Sequence, residues 1–235
     1  MKKLIILVLS LLSFQLCADD EMTADEQENW FNEDNHFSPE QVNEGELKFL
    51  TEPPKEPVLH SLNVLTISPD SIENGWVILE QCYKHLDPVT ETDVVYYYKS
   101  MRGLSLISKR NIETVQIKGQ TVRLSNITHN AELCIKAEVR IFNKNKNGGF
   151  SLINGPFHLK FLDGYYPYHV TFKINYPSSL LKFMVSKPKA QAGFNIKQSE
   201  DMIFIDSHFE GILNIELLFQ PHLLSTHHYY LMNTG

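Results

Sequence analysis

Several features that mark other classes of protein are scarce or missing in this chain of 235 residues. Eleven glycines are too few for a collagen, and the composition is not that of a coiled coil. With 43% hydrophobic and 21% charged residues, the chain can form a packed core, which excludes wholesale disorder. After the first 16 residues, no run approaches the roughly 18 consecutive apolar residues of a membrane-spanning helix.

Local signatures of common enzymes are also missing. The sequence contains no G-x-S-x-G, H-E-x-x-H, C-x-x-C, G-x-G-x-x-G or phosphate-loop motif, which argues against the familiar hydrolases, zinc proteases, redox enzymes and nucleotide-binding proteins. A catalytic triad built from distant residues leaves no local mark, so catalysis stays open. A non-enzymatic role is favoured, and no cofactor is expected.

The first 18 residues are typical of a secretory signal peptide. Lys2 and Lys3 precede an apolar run of about 13 residues that ends at Leu16, which is too short for a hydrocarbon layer of roughly 30 Å. Ala18 supplies a small residue for cleavage. A lipid anchor on Cys17 would need a small residue in place of Leu16, so a lipoprotein is not expected. The sequence predicts a periplasmic or secreted protein of bacterial type, without a transmembrane segment after cleavage.

Negative charge is concentrated in a leader that follows the signal. Residues 19–50 carry eleven carboxylates against the single base Lys48, whereas residues 51–235 carry 17 acidic and 18 basic side chains. A segment this acidic cannot bury enough apolar surface to offset its ordering entropy. Residues 19–57 are therefore predicted to be a mostly disordered acidic leader.

Two local signals interrupt this leader. Ser38 followed by Pro39 and Gln41 is a helix N-terminal pattern, and it predicts a short helix over residues 39–50. Three prolines between 53 and 57 then predict a stiff, extended linker into the folded domain.

From residue 58 onward, apolar residues recur with the period of two that is typical of half-buried strands. The alternation is clearest over residues 131–141 and 170–176, and about ten further short runs are separated by turns rich in glycine, asparagine and proline. The sequence therefore predicts an all-β fold with at most one short helix. We expect an antiparallel β-sandwich of immunoglobulin-like or jelly-roll-like topology over residues 58–220, followed by a C-terminal tail over 221–235.

Removal of the signal leaves two cysteines, Cys82 and Cys134, which the alternation places on the polar faces of two strands. Antiparallel pairing with Cys82 opposite Cys134 also puts residues of opposite charge and apolar residues together, namely Glu80 with Lys136, Lys84 with Glu132, Val77 with Val139 and Leu79 with Ala137. In an oxidising compartment, this register predicts a disulfide between neighbouring strands. A thiol and imidazole metal site is the alternative, but four well-placed donors are not evident.

The densest aromatic segment gives the candidate binding residues Tyr165, Tyr166, Tyr168 and His169. Tyrosines on a loop between strands can bind a sugar ring or a peptide, although they can equally cover a corner of the sandwich. A strand predicted over 94–101 contains three further tyrosines, and it would send them to alternate faces, where packing explains them.

Charged and metal-binding patterns give weaker indications. His222, His227 and His228 are close in sequence and could bind copper or zinc, but they lie in a terminal tail and no metal site is predicted there. All four arginines lie between 102 and 140. Since the chain is exported and net acidic, nucleic acid is not an expected partner.

Together these observations favour an exported, non-enzymatic β-sandwich protein that acts by binding. The first hypothesis is an envelope or protein-interaction factor that offers a sheet edge or an aromatic loop to a protein partner. The alternatives are a carbohydrate or polymer binder or hydrolase that uses the tyrosine segment, and a metal-handling protein.

Overall fold

A computed structural model describes residues 43–161 and 164–222. The predicted signal peptide, most of the acidic leader and the end of the tail lie outside the described residues. The described chain is almost entirely β-structure, which confirms the all-β prediction. Its one helix, α1 (Ser71–Asn74), has four residues, and no helix in the described ranges is long and apolar enough to cross a membrane.

The strands are numbered in chain order. They are β1 (Lys48–Leu50), β2 (His60–Thr66), β3 (Trp76–Leu86), β4 (Glu91–Val95), β5 (Met101–Lys118), β6 (Thr121–Arg140), β7 (Phe142–Lys144), β8 (Phe150–Phe157), β9 (Leu159–Phe161), β10 (Gly164–Tyr166), β11 (Tyr168–Asn175), β12 (Leu181–Lys187), β13 (Phe194–Gln198), β14 (Met202–Glu210) and β15 (Leu213–Pro221).

A nine-stranded sheet forms one layer, in the order β1-β14-β11-β2-β3-β6-β4, with β13 also paired to β14 and β5 also paired to β6. Its pairs are antiparallel except for β2 with β11, which run parallel. Along β11, Val170, Phe172 and Ile174 face the core, while His169 and Lys173 face outward. This alternation is the period-two pattern that the sequence shows.

A four-stranded sheet, in the order β12-β15-β8-β7, forms the second layer. Its buried residues include Leu152, Leu217 and Phe219, which belong to one apolar cluster with Leu79 and Phe172 of the large sheet. Two sheets that share one core in this way form a β-sandwich.

β5 and β6 form a long antiparallel ribbon, and β3 and β4 also pair with β6 in the large sheet. A second apolar cluster lies where β3, β4 and β5 contact β6, and it includes Val122, Leu124, Leu133 and Ile135. Residues 105–111 of β5 are all exposed, although Leu106 and Lys109 pair with the cluster residues Ile135 and Leu133 of β6. Among the described residues, the buried apolar side chains thus form two clusters, and Tyr98 and Met101 pack against both.

The predicted disulfide is confirmed. The Sγ atoms of Cys82 and Cys134 are 2.09 Å apart. The two residues are paired antiparallel across β3 and β6, in the register that also pairs Glu80 with Lys136, Lys84 with Glu132, Val77 with Val139 and Leu79 with Ala137. The bridge lies within one sheet, not between the two layers.

The helix predicted over 39–50 is wrong for the part of that range that is described. Residues 48–50 form β1, which pairs with Glu210, Phe209 and His208 of β14, and the Phe49 ring packs against Phe194 at 4.9 Å between centroids. The edge of β14 offers backbone partners and an apolar surface, and a short isolated helix is too unstable to compete with them. The sandwich therefore includes residues before the predicted boundary at 58.

The strand predicted over 94–101 is also corrected. β4 ends at Val95 and β5 begins at Met101, so residues 96–100 form a loop. β5 continues from Met101 to Lys118, so it extends well beyond the end of the strand predicted over 94–101. Because residues 105–111 are exposed on both faces, this part of the strand has no buried face to impose alternation on the sequence.

Candidate binding cavity

An open cavity of about 570 Å³ lies at one end of the sandwich, between the large sheet, the loop after β4 and the segment from β8 to β9. Its volume is within the range of small-molecule and peptide side-chain pockets. We call it the tyrosine cavity; its aromatic, aliphatic and amide lining includes Leu59, Gln81, Tyr83, Leu86, Val89, Val94, Tyr96, Tyr97, Tyr98, Ile127, Asn154, Phe157, Leu159, Phe161 and Tyr168.

Its tyrosines come from three places in the fold. Tyr83 lies on the core face of β3, Tyr168 begins β11, and Tyr96, Tyr97 and Tyr98 form the loop between β4 and β5. Burial raises the pKa of Tyr168 to about 12, and burial also raises the pKa values of Tyr83, Tyr96 and Tyr98. These hydroxyls are therefore neutral hydrogen-bonding groups at physiological pH.

Buried polar side chains replace apolar ones under this end of the sandwich. Asn63 is fully buried and Gln81 is 3% exposed. Gln81 Nε2 donates to Asn63 Oδ1 at 2.6 Å, and the Tyr83 hydroxyl donates to Gln81 Oε1 at 3.1 Å. This chain of hydrogen bonds holds the Tyr83 ring in place below the cavity.

Asn154 has an unusual environment in the cavity wall. The residue is 2% exposed, and its Oδ1 accepts from the Tyr98 hydroxyl at 2.8 Å and from the Gly155 backbone N–H at 3.0 Å. Its Nδ2 is buried and has no hydrogen-bond partner among the described residues. A buried donor of this kind is rare in native structures.

Charged groups occur only at the edge of the lining. The lining carboxylates are Asp87 and Asp93, and both are on the exposed surface. Asp93 accepts two hydrogen bonds from Arg123, at 2.9 and 3.0 Å, and these bonds lower its pKa. The lining cation Lys160 lies over the Tyr165 ring, with its Nζ 5.3 Å from the centroid.

The structure separates the four predicted binding residues. Tyr168 lines the cavity but is 4% exposed, so its ring is part of the core. Tyr165 and Tyr166 lie on β10, which pairs with β9. Their rings contact His158 and Phe161, which belong to the cavity lining. His169 points to the opposite face of the large sheet.

Sequence reasoning missed the loop tyrosines as cavity residues. It assigned Tyr96, Tyr97 and Tyr98 to a strand with alternate faces, whereas the loop lets all three line one cavity. Tyr97 is 88% exposed. Three adjacent tyrosines were the available signal, but the role of Asn154 depends on the tertiary contact with Tyr98 and has no local mark in the sequence.

A second feature lies on the outer face of the large sheet. His60, His169 and His208 are neighbours on β2, β11 and β14, and we call them the histidine row. The rings of His60 and His169 are stacked with centroids 3.9 Å apart, and those of His169 and His208 are stacked at the same separation. His85 and Glu56 border the same small depression.

The hydrogen bonds of the histidine row show which ring nitrogen or hydroxyl acts as the donor in each contact. Asp206 Oδ1 accepts from His169 Nε2 at 2.9 Å and from the Thr171 hydroxyl at 2.8 Å. Because the Thr171 proton is already used, its oxygen accepts from His60 Nε2 at 2.9 Å. Burial, with repulsion from His169 and Lys84, lowers the pKa of His60 to about 4. Burial also lowers the pKa of His208.

The histidine row is not arranged as a metal centre. Within the described residues, no group of three or more His, Cys, Asp or Glu side chains is placed to hold a metal ion. The stacked rings lie nearly parallel, with 13–14° between their planes, whereas metal ligands converge on one point. Of the terminal histidines, His222 is exposed, and His227 and His228 lie outside the described residues.

Comparisons with known proteins add little to this description. The chain matches no known family and no curated protein. It aligns over 76% of its length with an M1 zinc metallopeptidase from Deinococcus radiodurans, at 12% identity and a TM-score of 0.37, covering 43% of that chain. A mutant of a two-domain M1 zinc metallopeptidase bound to L-tryptophan aligns at 10% identity and the same TM-score, covering 44% of that chain. The chain thus spans less than half the length of either enzyme.

Proposed function

We propose that this protein is exported and acts without catalysis, by binding a segment of another cell-envelope protein in the tyrosine cavity. The signal-like residues 1–18 support export, and so does the disulfide between Cys82 and Cys134, since such bonds persist in oxidising compartments. The single observation that carries the binding role is the open cavity of about 570 Å³ whose wall is formed mainly by aromatic and aliphatic side chains.

The lining favours a protein segment over a carbohydrate. A sugar ring carries several hydroxyls, and each one buried without a partner costs about 1–3 kcal/mol. The wall offers mainly aliphatic and aromatic carbon, together with a few neutral polar groups. An apolar side chain fits such a lining, and the neighbouring peptide groups can use the polar atoms.

The same lining gives no support for hydrolysis. Its two carboxylates are exposed, and Asp93 is held by Arg123. Most glycoside hydrolases use two carboxyl groups that flank the scissile bond, and the one that acts as general acid has a raised pKa. The pKa of Asp93 is lowered instead.

Site-specific photo-crosslinking in the producing cell tests the proposed function. A photo-crosslinking amino acid at Tyr97, which is 88% exposed beside the cavity, is expected to capture one recurrent envelope protein. The same group at Lys173, which is exposed on the outer face of the large sheet, serves as the control and should not capture it.

A variant that fills the cavity makes the test specific. Val94 is half-buried in the cavity wall, so V94W should reduce capture from position 97 while the protein stays folded. Equal capture from positions 97 and 173, or capture that V94W does not change, would contradict a role for the cavity. Binding of a purified glycan without any protein adduct would favour the carbohydrate alternative.

A further inference from the structure

Three asparagines of this chain, Asn74, Asn147 and Asn154, are each followed by glycine. An Asn-Gly step is especially prone to spontaneous loss of the side-chain amide, because glycine has no side chain to hinder the attack of its own backbone nitrogen on the asparagine amide carbon. The three steps lie in different parts of the fold, so the structure distinguishes their reactivity.

Asn147 and Gly148 are both exposed in the loop that joins β7 to β8. The loop is held at its base, where Asn145 Oδ1 accepts from the backbone N–H groups of Asn147 and Gly149, both at 3.0 Å. The Gly148 N–H donates to the Asn145 carbonyl oxygen at 3.2 Å, which is the upper end of the usual range. A Cβ added to Gly148 would meet no atom within 4 Å, so there is open space beside the reacting groups.

The attacking nitrogens of the other two steps are held more firmly. Gly75 is buried, and its N–H donates to the Ser71 carbonyl oxygen at 2.9 Å. Asn154 is 2% exposed, and its Oδ1 accepts from the Gly155 N–H at 3.0 Å. This nitrogen therefore directs its proton, not an electron pair, at the amide. Both steps can react only after local opening of the structure.

The charge of the loop also favours reaction at Asn147. Lys144 and Lys146 are exposed there, and residues 143–149 contain no carboxylate. Nearby positive charge stabilises groups that become negative. Both the deprotonated glycine nitrogen and the tetrahedral adduct that it forms carry negative charge, so the two lysines favour their formation.

We infer that Asn147 is a site of spontaneous deamidation, at which the folded protein gains a negative charge as it ages. The Gly148 nitrogen loses its proton and forms a bond to Asn147 Cγ, the bond from Cγ to Nδ2 breaks, and Nδ2 leaves as ammonia after taking up a proton. Water then opens the five-membered succinimide at one of its two carbonyls, which leaves aspartate or isoaspartate. The reaction consumes only water, and it does not depend on the proposed binding role.

Ageing of the purified, folded and disulfide-bonded protein at neutral pH tests the inference. Peptide mapping by mass spectrometry, with digestion at mildly acidic pH, should find conversion at Asn147 at least about tenfold faster than at Asn74 or Asn154. The reduced, unfolded chain should convert all three at comparable rates, because the hydrogen bonds that hold the other two are lost. Conversion at Asn147 that is undetectable, or no faster than at the other two sites of the folded protein, would overturn the inference.

Variants of the same loop identify the reacting group. Asn147→Gln should not form the acidic species, because glutamine must close a six-membered ring, which is much slower. N147D marks the elution of the charged product in ion-exchange chromatography. N143Q changes another exposed asparagine of the loop, one that is followed by lysine, and should age like the unmodified protein. An acidic species that forms equally fast in N147Q, or that is lost in N143Q, would contradict the assignment to Asn147.

Discussion

The histidine row shows how three similar residues acquire different properties from their neighbours. His60 has its Nε2 proton committed to Thr171 and its ring stacked on His169. Burial and nearby positive charge together lower its pKa to about 4. A charged His60 would be poorly hydrated and would repel Lys84, so the folded state keeps this ring neutral.

The lowered pKa values predict acid sensitivity. The unfolded chain binds a proton at His60 near the ordinary value of 6.5, whereas the folded chain binds it near 4. The stabilisation is therefore complete above about pH 6.5 and is lost as the pH falls toward 4. His208 acts in the same direction, and the lowered pKa of Asp206 removes further stability below its own unfolded value of 3.8.

Thermal unfolding from pH 7.5 to 4.5 measures this effect. The melting temperature of the unmodified protein should fall through this range, and H60Q should show a flatter profile. H129Q changes an exposed histidine outside the row and should keep the original slope. Identical slopes in all three proteins would show that the row does not control acid stability.

At the level of elements, β1 is held to the sandwich by close backbone approaches. A Cβ added to Gly211 would lie 2.0 Å from the Glu46 carbonyl oxygen, and one added to Gly193 would lie 2.6 Å from that of Leu50. Both glycines have positive φ, at 86° and 77°. Only glycine satisfies both the conformation and the contact.

Replacing Gly211 by alanine should therefore loosen the segment before β1 and lower the free energy of unfolding by more than about 1 kcal/mol. G103A is a matched control, because Gly103 also has positive φ, at 64°, but an added Cβ there meets no atom within 4 Å. Chemical denaturation measures the free energy of unfolding of both variants. The difference between their losses gives the effect of the steric contact at Gly211, because the strain from positive φ is common to both. A loss in G211A no larger than that in G103A would contradict the proposed role of this contact.

At the level of the whole molecule, the ribbon and the sandwich differ in how well their backbone hydrogen bonds are shielded from solvent. β11 lies between β2 and β14 in the sheet, and its core face is buried. β5 pairs only with β6 among the described strands, and residues 105–111 are exposed. Local opening of β5 thus exposes little apolar surface and costs little free energy.

Amide hydrogen exchange should reveal this difference. Backbone amides of residues 105–111 are expected to exchange at least about tenfold faster than those of residues 170–174 under native conditions. Arg110 and Glu132 form an exposed ion pair across the ribbon, at 2.7 Å, and R110A should accelerate exchange there only slightly. Equal protection in the two segments would indicate that the ribbon and the sandwich open as one cooperative unit.

The sequence by itself determined those features whose cause is local. Alternating apolar residues gave the strands of the sandwich, because a sheet with one buried face imposes a period of two. The charged residues on both sides of Cys82 and Cys134 predicted the register of their strands and therefore the disulfide. One matched pair fixes the partners of all other residues in the two strands. Both predictions are confirmed.

Only the tertiary structure decided the features that depend on distant neighbours. Residues 48–50 became a strand because the edge of β14 was available to them. The tyrosine cavity required the loop after β4 to meet the end of β8, where Tyr98 fixes the Asn154 amide. The histidine row required three strands from separate parts of the chain to pair in one register. Such contacts leave no periodicity or spacing in the sequence, so local patterns could not predict the candidate binding site.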